Sequence, residues 1–216
     1  MFIGHYGPAF FETKGKSAGA SIKLWQAFIA VQFIDIIHLG LLLAGLEYPV
    51  HKAGEVPLLH IPYSHSLLSA VILSVIAGGV SYFTIGRTKR IFLVFFSLTF
   101  SHWILDWIVH RPDLPLYPGG AEYGLGLWNY PVLSFCLEMG LVALGTLWWL
   151  SRSRAKSRLY TVLPWVLFGL MLMFQYTFIF APPPAPTLMM VVTMAMVTYA
   201  GLAGLIAWAE SGRSWI

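Results

Sequence analysis

Long apolar runs alternate with short polar or breaker-rich segments along this chain. The runs cover 24–46, 66–86, 91–110, 131–150, 159–180 and 187–208. Each approaches the roughly 20 residues a helix needs to cross a hydrocarbon core. Their length, and the lack of two-residue alternation, predict helices rather than strands. The segments between them hold the breakers: "EYPVHKAGEVPLLHIPY", "GRTKR", "RPDLPLYPGGAEYGLG", "SRSRAKSR" and "APPPAP". The expected fold is all-α, a polytopic integral membrane bundle of six long spans forming one domain over 1–216. "FIGHYGPAFF" is too short to cross, yet apolar up to Glu12 and Lys14. It reads either as a short N-terminal half-helix reaching inward or as an amphipathic anchor along the interface.

Composition agrees with this pattern. Of 216 residues, 58% are hydrophobic and 10% charged, with a mean hydropathy of +0.74; soluble domains carry about 25% charged residues. The net charge of +4 does not imply nucleic acid, because the basic residues are dispersed among short connections. Lys14, Lys16, Lys23, Arg87, Lys89, Arg90, Arg152, Arg154, Lys156, Arg158 and Arg213 all fall on one side of the expected bundle, against Lys52 and Arg111 on the other. The positive-inside rule then places both terminal segments in the cytoplasm. Positive charges follow, rather than precede, the first apolar stretch, so no cleavable signal is expected. Trp25, Trp107, Trp148, Trp149, Trp165 and Trp208 sit toward span ends, as an interfacial belt would. The single Cys136 excludes an internal disulfide and reads as a buried small hydrophobe.

Against this background a few ionisable residues stand out. His102, Asp106 and His110 repeat at four-residue steps, on one face of a helix. Asp35 and His38 in the first span, and His65 at the start of the second, fall at about the same height. An intramembrane charge costs about 2.5 kcal/mol or more and must find partners. Imidazole and carboxylate at this spacing suit zinc, manganese or iron. A set of His–Asp hydrogen bonds joining three helices fits the spacing equally, and His38 on its own reads as structural. Ser64, Ser101 and Glu138 are candidate outer partners. Arg111 is a candidate catalytic contact for phosphate or carboxylate, or a side chain that snorkels to the interface. The loop "YPGGAEYGLGLWN" has no phosphate-loop signature, and no Ser-His-Asp elbow or haem slot is apparent.

"FIGHYGPAF", "QFIDIIH", "PYSHSLL" and "SHWILDWIVHRPDLPL" together resemble the predicted membrane-bound metal-dependent hydrolases of bacteria. That family's pattern runs early His, an acidic Pro-Asp-x-Asp-His-like motif, Arg-x-x-Thr-His-Ser-Leu, then His-x-x-x-Asp. The resemblance covers about 1–135; the spans in 136–216 carry no assignable motif. It implies His5, Asp35, His65, His102 and Asp106 as metal ligands, with Asp35 and Asp106 also catalytic, and a divalent cofactor such as zinc. Here Ile61 stands at the family's Arg position and one carboxylate, Asp35, remains of the acidic motif, which argues against two bridged cations. The implied function is metal-dependent hydrolysis of a phosphoester or lipid-borne bond at the outer leaflet. A proton-coupled transporter and a non-catalytic scaffold remain alternatives.

Overall fold

The computed structural model describes residues 3–11, 22–50, 58–181 and 187–216. Within them lie eight α-helices: α1 (Tyr6–Ala9), α2 (Leu24–Val31), α3 (Phe33–Leu43), α4 (Leu67–Thr84), α5 (Lys89–Val109), α6 (Pro131–Ser151), α7 (Arg158–Phe180) and α8 (Leu188–Ser211). Three antiparallel ribbons of two or three residues per strand tie down connections: β1 (Tyr48–Val50) with β2 (Leu58–His60), β3 (Leu114–Pro115) with β4 (Glu122–Tyr123), and β5 (Ser153–Ala155) with β6 (Arg213–Trp215). Lys14, Lys16, Lys52 and the prolines of 182–186 lie outside the described residues.

The helices α4 to α8 are each long and apolar enough to cross a membrane. Only 22–44% of each one's most apolar window is buried, so most of that apolar surface faces outward. A soluble helix packs its apolar stripe inward and presents charge outside. Here Ile72, Ile76, Val80 and Phe83 of α4 are exposed, while Ser74, Gly78 and Ser81 face its neighbours. This distribution is the one a multi-pass membrane protein requires.

The first expected span differs. It is broken at Gln32 into α2 and α3, whose axes diverge by 47°. The cause lies on α5: Thr99 Oγ1 donates to Ala30 O at 3.1 Å, and His102 Nδ1 lies 2.7 Å from Val31 O. Side chains entering the helical ladder in this way bend a helix without proline. The half-helix expected near His5 is a single turn, α1, and it is not an interfacial anchor. Ile3, His5, Tyr6, Ala9 and Phe10 are all buried. Glycine permits the insertion: a Cβ at Gly7 would meet Leu141 Cβ at 2.9 Å, and one at Gly145 would meet Gly7 O at 2.7 Å. Glu138 Oε2 accepts from Gly4 N and Gln175 Oε1 from Ile3 N, fixing the turn to α6 and α7.

Two belt and core expectations are corrected. Trp149 is 1% exposed, packed under the Arg213 guanidinium at 5.1 Å, so it anchors the β5–β6 end instead of an interface. Cys136 is exposed on the outer face of α6.

Candidate metal centre

Five segments bring imidazoles and carboxylates to one place, at the end of the bundle opposite the basic connections. His5 comes from the N-terminal turn, Asp35 from α3, His65 from the loop before α4, and His102 and Asp106 from α5. His65 Nε2 lies 3.4 Å from Asp35 Oδ1 and 3.4 Å from Asp106 Oδ2. His102 Nε2 lies 3.5 Å from Asp35 Oδ1 and 3.1 Å from Asp106 Oδ2. His5 Nε2 lies 3.2 Å from Asp106 Oδ1. His5, His65, His102 and Asp106 are buried, and Asp35 is more open at 17%.

Outer partners fix which nitrogen faces inward. Val31 O can only accept, so His102 Nδ1 carries the proton and Nε2 presents its lone pair to the carboxylates. Ser64 Oγ donates its single proton to Glu47 Oε2 at 2.7 Å, and therefore accepts from His65 Nδ1 at 2.6 Å. His65 Nε2 thus also presents a lone pair. A lone-pair nitrogen facing a carboxylate oxygen is repulsive unless a proton or a cation lies between them. Charge-assisted hydrogen bonds close to about 2.7–2.9 Å, and these four pairs do not. At 3.1–3.5 Å they are close to the ligand–ligand separations around a zinc-like ion, about 3.3–3.4 Å for metal–ligand bonds near 2.0–2.1 Å. Among the described residues, His102 Nε2 and both nitrogens of His5 are buried without a hydrogen-bond partner. Such orphaned groups cost about 1–3 kcal/mol each. Two carboxylates and neutral imidazoles leave a double negative charge that one divalent ion offsets. The donor set fits a cation.

The surroundings hold residues that sequence patterns missed. Glu47 is fully buried: it takes Tyr63 N, Ser64 N and Ser64 Oγ, and His38 Nδ1 at 2.6 Å. Burial alone would raise its carboxyl, but the bonds from His38 and Ser64 outweigh it and hold the pKa below the usual range. Burial alone would lower the His65 imidazole, but Asp106 and Asp35 outweigh it and raise the pKa. A cation thus takes the place of the proton that these carboxylates would otherwise draw onto Nε2. Trp103 Nε1 donates to His65 O at 2.8 Å, pinning the loop. Tyr199 on α8 donates to Asp35 Oδ2 at 2.9 Å, so a span without a recognisable motif supplies an outer partner.

Four further candidates are placed as follows. His38 has its Nδ1 held by Glu47 and lines the cavity described below. Glu138 anchors Gly4. Arg111 is not among the residues lining that cavity; its Nε donates to Asn129 Oδ1 at 2.9 Å. The chain leaves helical geometry at His110 (φ −62°, ψ 148°), and the side chain that follows is carried off the His102–Asp106 face. Ser101 donates to Leu98 O within its own helix.

A cavity of about 510 Å³ opens on the cluster. Asp35, His38, His65, Asp106, His110 and Tyr199 form its polar end. Leu42, Ile61, Phe174, Phe178, Val191 and Met194 form apolar walls from α3, the 61–66 loop, α7 and α8. No protein-family model matches this chain, and neither a curated protein nor a solved structure does. Its chemistry is therefore read from the geometry.

Proposed function

We propose that this chain is a metal-dependent hydrolase of a bacterial inner membrane, acting on a phosphoester or other bond carried by a lipid. The observation that carries it is the set of inward lone pairs on His65 and His102, spaced 3.1–3.5 Å from Asp35 and Asp106, at the polar end of a largely apolar cavity. The bent pair α2–α3 counts as a sixth span, and the basic connections face the cytoplasm. The site then lies toward the outer leaflet. The resemblance of the His5, Asp35, His65 and His102–Asp106 motifs to the predicted membrane-bound metal-dependent hydrolases supports the same assignment.

A divalent cation held by His65, His102, Asp35 and Asp106 would supply Lewis acidity and bring a water's pKa toward neutrality. The protein does the rest. The apolar walls from α3, α7 and α8 accept a hydrocarbon chain and keep bulk water out, which strengthens electrostatic interactions at the polar end. Glu47 holds His38 Nδ1–H, so its Nε2 is the basic nitrogen. On the cavity wall, His38 takes a proton from water during attack and returns it to the leaving oxygen. Tyr199 orients Asp35 through its hydroxyl.

One observation favours a second reading. The short bonds His38–Glu47–Ser64–His65 form an unbroken polar chain, which a cation-free protein would use as a proton relay. A single comparison separates them. Purified protein in nanodiscs is assayed for bound metal and for phosphate release from a lipid phosphomonoester such as phosphatidic acid, with the His102→Ala/Asp106→Ala double variant alongside. Stoichiometric metal and hydrolysis, both lost in the variant, are expected. Metal-free protein that carries pH-driven flux in sealed vesicles would overturn the hydrolase.

A further inference from the structure

Stacked imidazoles at the centre of the cluster impose a constraint that a single ion does not satisfy. The His5 and His102 rings lie 3.6 Å apart at an interplanar angle of 7°. An imidazole lone pair lies in its ring plane, and two parallel rings at that separation share no plane. One ion therefore cannot be met in-plane by both nitrogens. The two rings also address different oxygens of the same carboxylate: His102 Nε2 faces Asp106 Oδ2 at 3.1 Å, and His5 Nε2 faces Oδ1 at 3.2 Å.

Oδ1 has a third neighbour. His110 Nε2 lies 3.6 Å away, and its Nδ1 is 2.9 Å from Asp113 Oδ1. Asp113 is itself fixed, its Oδ2 accepting from Leu59 N at 3.1 Å. A carboxylate holding the far nitrogen of an imidazole is the arrangement that orients ligating histidines. Trp128 packs against His110, ring centroids 4.1 Å apart and tilted by 40°, limiting its rotation. His5, His110, Asp106 and Asp113 are all at most 3% exposed.

We infer that Asp106 bridges two divalent cations: the first on Oδ2 with Asp35, His65 and His102, the second on Oδ1 with His5 and His110. This rests on the reading of the first ion proposed above. Bridging needs no second acidic motif, because one carboxylate presents an oxygen to each side. The second position has three protein donors and open coordination. Two divalent ions balance the four carboxylates of Asp35, Glu47, Asp106 and Asp113, and two cations about 3.5–4 Å apart are spaced to clamp one phosphoryl group at their open coordination positions.

The test is metal stoichiometry on the full chain loaded with Mn(II), by elemental analysis and electron paramagnetic resonance. Wild type should hold two ions per chain with an exchange-coupled spectrum. His110→Ala should hold one, giving an isolated six-line spectrum. Asp113→Asn, which keeps the packing, should weaken the second ion about 10–100-fold and leave the first unchanged. A single ion in wild type at saturating Mn(II), or two coupled ions persisting in His110→Ala, overturns the second position and leaves the first ion standing. No bound ion at all overturns both.

Discussion

Replacing Asp106 by Asn separates an ion-binding centre from a set of interhelical hydrogen bonds. Asp106 is 1% exposed and within 3.1–3.6 Å of four imidazoles. If a cation lies among them, its binding free energy is also folding free energy. At free metal about 100-fold above the dissociation constant, this linkage contributes about 2.7 kcal/mol. Chains of roughly 150–250 residues shift their melting midpoint by about 2–4 °C per kcal/mol. Chelation should then lower the wild-type midpoint by about 5–11 °C, and added Zn(II) should restore it. Asp106→Asn replaces a charged ligand with a neutral amide. It should start lower, hold no stoichiometric metal and respond to neither chelator nor Zn(II). The assay is thermal unfolding in detergent, followed by tryptophan fluorescence, with metal content measured on the same samples. The reasoning fails if wild type is metal-free and indifferent to chelator while Asp106→Asn loses about 3–5 kcal/mol. That is the signature of a broken buried ion pair with no ion present.

Two further outcomes follow from the surrounding groups. Glu47 has a lowered folded pKa, so its contribution to stability is full above the unfolded value of about 4.3 and is lost as pH falls through the folded one; the wild-type midpoint should fall steeply below pH 4, and Glu47→Gln should be less stable at neutral pH with a flatter acid limb, equal acid limbs refuting the role. Gly145→Ala places a Cβ 2.7 Å from Gly7 O and 2.9 Å from Phe10 Cδ2, so it should cost about 1–3 kcal/mol as overpacking does and displace His5, weakening the second ion more than the first; unaltered unfolding would show that the turn at residues 6–9 is not packed against α6.

The helices were legible because apolar length and breaker placement are local properties. The site was legible where motifs are contiguous: His102 and Asp106 share one helix face, and His5, Asp35 and His65 sit in short recognisable strings. What escaped depends on contacts between distant parts of the chain. Nothing local marks Gln32 as a bend, since its cause is Thr99 and His102 on another helix. Glu47 lay among loop breakers, and only the fold shows it joining His38 to Ser64. Tyr199 and Gln175 sat in spans without motifs because one side chain per helix suffices to reach inward. Asp113 stood in plain view three residues after His110, and an acid at that spacing from a histidine was a usable signal. Arg111 was singled out by its place just after His110, and whether its side chain would face the cluster depended on where the helix ends, at Val109.

The insertion of the first turn between later helices also sets an order of assembly. Gly4 is bonded to Glu138 and Ile3 to Gln175, 134 and 172 residues further along. During synthesis His5 emerges long before the partners that seat it exist. Until α6 and α7 are in place the turn has no seat, so its bonds are among the contacts of longest sequence separation in the described chain and form late.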